Sequence, residues 1–215
     1  MPPTSLALLR REYRNKPLLE SQAPADPLRL FEKWFREALK IQALDVNAMT
    51  LATVSPEGQP STRVVLLKGY DHKGFVFFTN YLSRKGRDLE RHPGASLSFF
   101  WPELSRQIHL EGLAHKVAAW ESDEYFQTRP RDSQLGAWVS EQSRVLSNRK
   151  VLDQRVKEFE KKYQGQAIPR PPHWGGFRLV PKIIEFWKGQ PSRLHDRLVY
   201  RKKSGSGWKR ERLAP

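Results

Sequence analysis

The chain has 215 residues, no cysteine, and 38 Lys+Arg against 23 Asp+Glu, giving a formal net charge of +15. That length suits one domain of somewhat more than typical size, and a hydrophobic content of 38% is enough to fill its core. The lack of cysteine excludes disulfides, thiolate nucleophiles and Cys-based zinc or iron–sulfur sites and suits a cytoplasmic location, while the positive field favours nucleic acid, anionic lipid or phosphorylated small molecules.

The apolar run Leu6–Leu9 is too short for a signal-peptide core or a membrane span, so no membrane association is expected. Asp26-Pro27 reads as an N-cap followed by a first-turn proline, and Phe31, Trp34, Phe35, Ala38 and Leu39 recur at helical spacing, which predicts a helix over about 27–42. From Ala48 the pattern changes to short β-rich runs: AMTLATV, STRVVLLKGY, GFVFFTN, ASLSFFW and RQIHLEGLAHKV. Turn-like SPEGQP, DHKG and HPG separate them, so the expected fold is mainly antiparallel β with helices, curled into a barrel. Ser83 caps a short predicted helix to about Arg91, AWESDEYFQT and SQLGAWVS read as helical, and Ser147 begins a helix to about Tyr163. The proline-rich GQAIPRPPHWGG is a connector, followed by strands KIIEFWKG and SRLHDRLVYRKK, a SGSG turn and the closing WKRERLAP.

Rossmann, P-loop, HExxH and GxSxG patterns are absent, and the lone histidines His109 and His115 carry no metal assignment. Four segments instead interleave basic residues with aromatics and hydroxyls: RVVLLK (63–68), FTNYLSRK (78–85), YFQTRPRDS (125–133) and RLHDR (193–197). Each resembles half of a phosphate cradle, since Arg offers a planar fork, Lys a mobile charge, and Ser, Thr and Tyr hydroxyl donors. On a regular strand Arg193, His195 and Arg197 share one face, where they repel unless an anion joins them; Asp196 faces away and is left a fold-stabilising ion pair. On a regular strand the same alternation puts Arg63 and Lys68, five apart, on opposite faces, so a bulge or a ligand wrapped round a strand end must intervene if both touch one ligand.

IEFWKGQPSRLHDR at 184–197 closely resembles the signature of the pyridoxine 5′-phosphate oxidase family. RREY at 10–13, RVVLLK, FFTN followed by SRKG, RQ at 106–107, YFQTRPRDSQLGAWVS, QS at 142–143, PHWGGFRL and ERLAP are similar to family segments in family order. The resemblance implies a split β-barrel flavoprotein, a homodimer with FMN in a cleft between subunits, with residues 1–25 a mobile N-terminal segment and 26–215 a single domain. It implies FMN contacts from Arg63, Val64, Val65, Leu66, Leu67, Lys68, Phe78, Thr79, Arg84, Lys85, Gln107, Gln142, Ser143, Trp187 and Arg197. The substrate phosphate falls to Lys68, Tyr125, Arg129 and Ser133, the pyridine ring to the catalytic pair Arg193 and His195, and the cover of the bound substrate to Arg10 and Tyr13. The implied activity is oxidation of pyridoxine or pyridoxamine 5′-phosphate to pyridoxal 5′-phosphate, with dioxygen reduced to hydrogen peroxide. Phe78 stands where some members carry tyrosine. Two other readings remain beside this one: a split-barrel flavoprotein acting on another substrate, and a basic nucleic-acid-binding domain, which lacks any zinc-finger, helix-turn-helix or RNP-like pattern.

Overall fold

In the computed structural model, which describes residues 8, 9 and 12–215, Asp26 starts the first helix as the sequence predicts. Its carboxylate accepts from the Leu28 N–H at 3.0 Å, and Pro27 takes the first position, where no N–H is needed. Helix α1 (Pro27–Lys40) buries Leu30, Phe31, Trp34 and Ala38 along one stripe and stops just short of Gln42, whose φ of 51° is left-handed.

The described residues form nine strands, joined in one sheet of order β2-β1-β5-β6-β7-β4-β3, with β8 on β7 and β9 on β8. They are β1 (Ala48–Val54), β2 (Pro60–Leu66), β3 (Gly69–Asp71), β4 (Gly74–Asn80), β5 (Gly94–Trp101), β6 (Arg106–Lys116), β7 (Trp174–Lys188), β8 (Asp196–Lys202) and β9 (Trp208–Arg212). All five pairings with a defined register are antiparallel. Four more helices follow α1: α2 (Arg84–Arg91), α3 (Ala119–Gln127), α4 (Arg131–Val139) and α5 (Lys150–Lys162). Among the described residues, no helix is long and apolar enough to cross a membrane.

The chain divides into two compact units, one of residues 1–46, 98–111 and 182–215, the other of residues 47–97 and 112–181. In the first, Phe31 meets Phe99 edge-on at 5.4 Å, Trp34 meets Phe186 at 5.3 Å, and the Trp101 indole donates to the Val46 carbonyl at 3.1 Å. The approach to α1 is tied down as well: Leu18 N–H donates to Asp196, and Tyr200 donates to the Pro24 carbonyl. In the second unit β1 and β2 make a hairpin from Ala48↔Leu66 to Val54↔Pro60, and β4 runs beside β7 from Phe75↔Leu179 to Asn80↔Trp174. Helices α3, α4 and α5 close over a small cluster of Phe126, Leu135, Ala137, Tyr163, Ile168 and Trp174.

Four boundaries differ from the sequence expectation. The STRVVLLKGY run is two strands, because Leu67 N–H turns to the Asn47 carbonyl and Lys68 N–H to Val76. Helix α5 begins at Lys150 and Ser147 does not cap it. Strand β7 begins at Trp174 rather than Lys182: Gly175 and Gly176, which read as loop, are strand residues under close approach, where a Cβ would strike the Tyr81 hydroxyl and the Val117 and Phe78 side chains. Strand β8 starts only at Asp196, since Ser192 and Arg193 are left-handed, with φ of 54° and 60°, and break the extended run.

Candidate functional site

A cavity of about 650 Å³ opens in the second unit, and most of the two expected cradles line it. Val64, Val65, Leu66 and Lys68 come from β2 and its exit, Phe78 and Thr79 from β4, Lys85 from α2, and Gln142 from the loop after α4. Tyr125, Arg129 and Ser133 come from α3, the α3–α4 turn and α4, so residues more than fifty positions apart in sequence share one wall.

Ser83 accepts from the Gly86 N–H and so caps α2, fixing Arg84 and Lys85 in its first turn. Lys85 Nζ reaches Gln142 Oε1 at 2.6 Å, Thr79 Oγ1 donates to the same oxygen at 3.4 Å, and Arg84 N–H donates to Ser143 Oγ at 3.2 Å. Ser143 sits at φ 71°, a left-handed turn that presents its hydroxyl to α2. Burial, helped by the positive charge of Arg63, pushes the Lys85 pKa down to about 8.

Strand alternation holds through β2. Arg63 turns inward, donating to Thr53 Oγ1 at 2.7 Å and Ser61 Oγ at 2.8 Å, while Val64 and Leu66 face outward. Lys68 lies past the strand end, where alternation no longer applies, and lines the cavity. Arg63 and Leu67 do not line the cavity, and the Leu67 side chain is buried in the core.

Arg129 is the least satisfied cation here. Its Nη1 is buried with no hydrogen-bond partner, and its guanidinium carbon stands 4.5 Å from the Trp174 ring centroid. Burial holds its pKa below the usual range. Such a donor costs about 1–3 kcal/mol unless something fills it. Phe78 stacks on Tyr125 at 4.0 Å and on Trp174 at 5.4 Å, making a three-ring wall. Asn80, Thr128, Pro130 and Trp174 also line the cavity and were not singled out from sequence; Trp174 lay in the PHWGG run, where its ring alone marked it.

The remaining expected residues belong to the first unit. Tyr13 meets Trp187 and His195 edge-on at 5.8 and 5.6 Å, and Trp187 lies 4.7 Å from His195. Gly189 permits this packing, since a Cβ there would fall 2.6 Å from the Tyr13 ring. His195 Nδ1 accepts from the Gln190 N–H at 3.0 Å, which leaves Nε2 to carry the proton of the neutral ring. Gln107 lies on β6. Arg10 falls outside the described residues.

The expected cationic face of Arg193, His195 and Arg197 is corrected. Arg193 and His195 precede β8, and Arg197 is held by both oxygens of Glu185, at 2.7 and 3.0 Å, so no ligand is needed to neutralise it. That hydrogen-bonded pair raises the Arg197 pKa. Asp196 takes the structural role expected, binding Arg212 at 2.7 Å and accepting from Leu18 N–H and Gln190.

Residues 35–163 match the family profile described as pyridoxamine 5′-phosphate oxidase, and residues 174–215 match the pyridoxine 5′-phosphate oxidase C-terminal dimerisation region. The chain belongs to the pyridoxamine 5′-phosphate oxidase family. It is 56% identical over 212 residues to a pyridoxine/pyridoxamine 5′-phosphate oxidase of Acaryochloris marina, covering 99% of this chain and 96% of that one. The corresponding protein of Pseudomonas paraeruginosa is 55% identical, covering 98% and 99%. Among solved structures, PhzG from Burkholderia lata, in complex with tetrahydrophenazine-1-carboxylic acid, superposes with a TM-score of 0.86 at 33% identity, covering 92% of this chain and 98% of that one. The fold is the family's split β-barrel with peripheral helices, and the cavity's cationic and hydroxyl donors suit the phosphate of a flavin or of a vitamer.

Proposed function

We propose that this chain oxidises pyridoxine 5′-phosphate or pyridoxamine 5′-phosphate to pyridoxal 5′-phosphate, with FMN as its cofactor. The observation that carries this reading is the buried, unsatisfied Nη1 of Arg129, a residue that lines one cavity with Lys68, Tyr125, Ser133, Thr79, Lys85 and Gln142. Two cradles in one cavity suit two phosphorylated ligands, with Lys68 between them. FMN held there would supply the two-electron redox chemistry of the reaction, with dioxygen as the final acceptor and hydrogen peroxide as its product.

The chain's own residues bind and orient. Arg84, Lys85, Ser143, Thr79 and Gln142 hold the cofactor, along with Arg63 and the 64–68 strand end, while the substrate phosphate sits on Lys68, Tyr125, Arg129 and Ser133. Binding energy from that remote phosphate orients the reacting carbon. Arg193 and His195 contact the pyridine ring, His195 offering its Nε2–H; Trp187, Gln107 and Arg197 complete the cofactor set, and Arg10 with Tyr13 covers the substrate. For the amine substrate, water supplies the aldehyde oxygen and ammonia leaves. The match to a dimerisation region supports a homodimer, and the cysteine-free composition supports a cytoplasmic location.

The test is anaerobic mixing of the FMN-loaded protein with pyridoxamine 5′-phosphate and, separately, pyridoxine 5′-phosphate. The flavin's visible band is expected to bleach and to return on admitting air. A protein that takes up no FMN, or whose flavin neither vitamer reduces, is not this oxidase.

A further inference from the structure

Arg129 follows α3, its N–H bonded to the Phe126 carbonyl, and among the described residues no carboxylate or carbonyl fixes its guanidinium. Two rings do. The guanidinium carbon stands 4.5 Å from the Trp174 centroid and 5.6 Å from that of Phe126. Trp174 is itself immobilised: it is 7% exposed, meets Phe126 edge-on at 5.3 Å, pairs with Asn80 in the sheet, and accepts from Arg170 on its carbonyl at 2.7 Å.

We propose that Trp174 is a positioning residue for the oxidation, holding the Arg129 guanidinium so that its free Nη1 donor stays aimed at the substrate phosphate. The inference rests on the function proposed above and adds a role for a residue outside the phosphate-binding set. An unheld arginine has several rotamers to lose when an anion arrives, which weakens binding; a guanidinium seated on an indole has already lost them. The indole face attracts a desolvated cation without occupying its N–H donors, so Arg129 is restrained and still unsatisfied. A carboxylate in the same place would restrain Arg129 equally and compete with the phosphate.

The test is a double-mutant cycle on the FMN-loaded protein: wild type, Trp174→Leu, Arg129→Ala and the double variant. The readouts are the dissociation constant of pyridoxal 5′-phosphate by calorimetry, and KM and kcat for pyridoxine 5′-phosphate. Trp174→Leu is expected to raise the dissociation constant and KM about tenfold where Arg129 is present, and less than about twofold in the Arg129→Ala background. KM should move more than kcat, and Trp174→Phe should recover most of the loss. Equal loss in both backgrounds makes Trp174 a packing plug and overturns the proposal, as does no loss in either. Should Trp174→Leu fail to fold, Trp174→Phe decides by the same cycle, with a loss of about two- to threefold confined to the Arg129 background. A wild type that neither binds pyridoxal 5′-phosphate nor oxidises a vitamer refutes the proposed function. An additive cycle in a working enzyme refutes only the role of Trp174.

Discussion

Lys85 loses hydration beside Gln142 and Ser83, and burial together with the charge of Arg63 brings its pKa from 10.5 to about 8. Between those values the flavin-free folded chain binds fewer protons at Lys85 than the unfolded chain, so this residue makes stability rise with pH across that window. Cofactor binding runs the other way. A phosphate favours the ammonium form, so FMN affinity should hold below about pH 8 and fall by up to about tenfold per unit above it. Riboflavin, lacking the phosphate, should show no such fall, and Lys85→Arg should flatten the FMN profile. Flavin fluorescence titrations across this range decide it; parallel profiles for the two flavins remove Lys85 from the phosphate grip. Side-chain chemistry was legible in the sequence to this depth because Lys, Arg and hydroxyl residues announce an anion site wherever they cluster. Commitment was not: that Glu185 neutralises Arg197 depends on strand pairing, which places Glu185 two residues before Trp187, the partner of Arg197, and that Arg129 meets the Trp174 and Phe126 rings with its Nη1 unbonded depends on tertiary packing.

Among the secondary-structure elements, period-two runs bounded by turn residues were read closely: GFVFFTN is β4 without adjustment and AMTLATV is β1. One of the four differing boundaries falls where glycine serves packing instead of turning. Gly175-Gly176 belong to β7, and their lack of side chains admits Tyr81 and Phe78, information carried only by distant residues. Gly112 on β6 is a sharper case, since a Cβ there would lie 2.1 Å from the Val180 carbonyl oxygen of β7. Backbone cannot step aside as a flexible side chain can. Gly112→Ala should therefore cost about 3 kcal/mol, the upper end of overpacking penalties. Gly94, also in a strand, has nothing within 4 Å of the place an added methyl would take, so Gly94→Ala should change stability by less than about 0.5 kcal/mol. Urea midpoints at constant m-value measure both, and equal effects would show that close approach at Gly112 does not constrain the sheet.

For the molecule as a whole, the exposed face of the β1–β2 hairpin bears on assembly. Val54, Val64 and Leu66 lie on one face by their pairing with Pro60, Thr50 and Ala48, and are 38%, 67% and 41% exposed. Val64 and Leu66 also line the cavity, so apolar surface at the candidate site stands open to solvent in the single chain. A closed two-fold contact covers such a face on both copies at once, and residues 174–215 match a dimerisation region. Sedimentation should give about twice the 25.1 kDa chain mass. Each copy brings a formal +15, so mutual repulsion opposes association, and the dimer should tighten as salt screens it, the reverse of a basic chain binding nucleic acid. Val64→Glu places a charge on this apolar face in both copies, and is expected to give monomers that lose FMN in step with dissociation. Concentration series at about 50 and 300 mM salt, followed by sedimentation and flavin absorbance together, test both expectations. A monomer with full flavin occupancy would separate cofactor binding from assembly and sink the prediction.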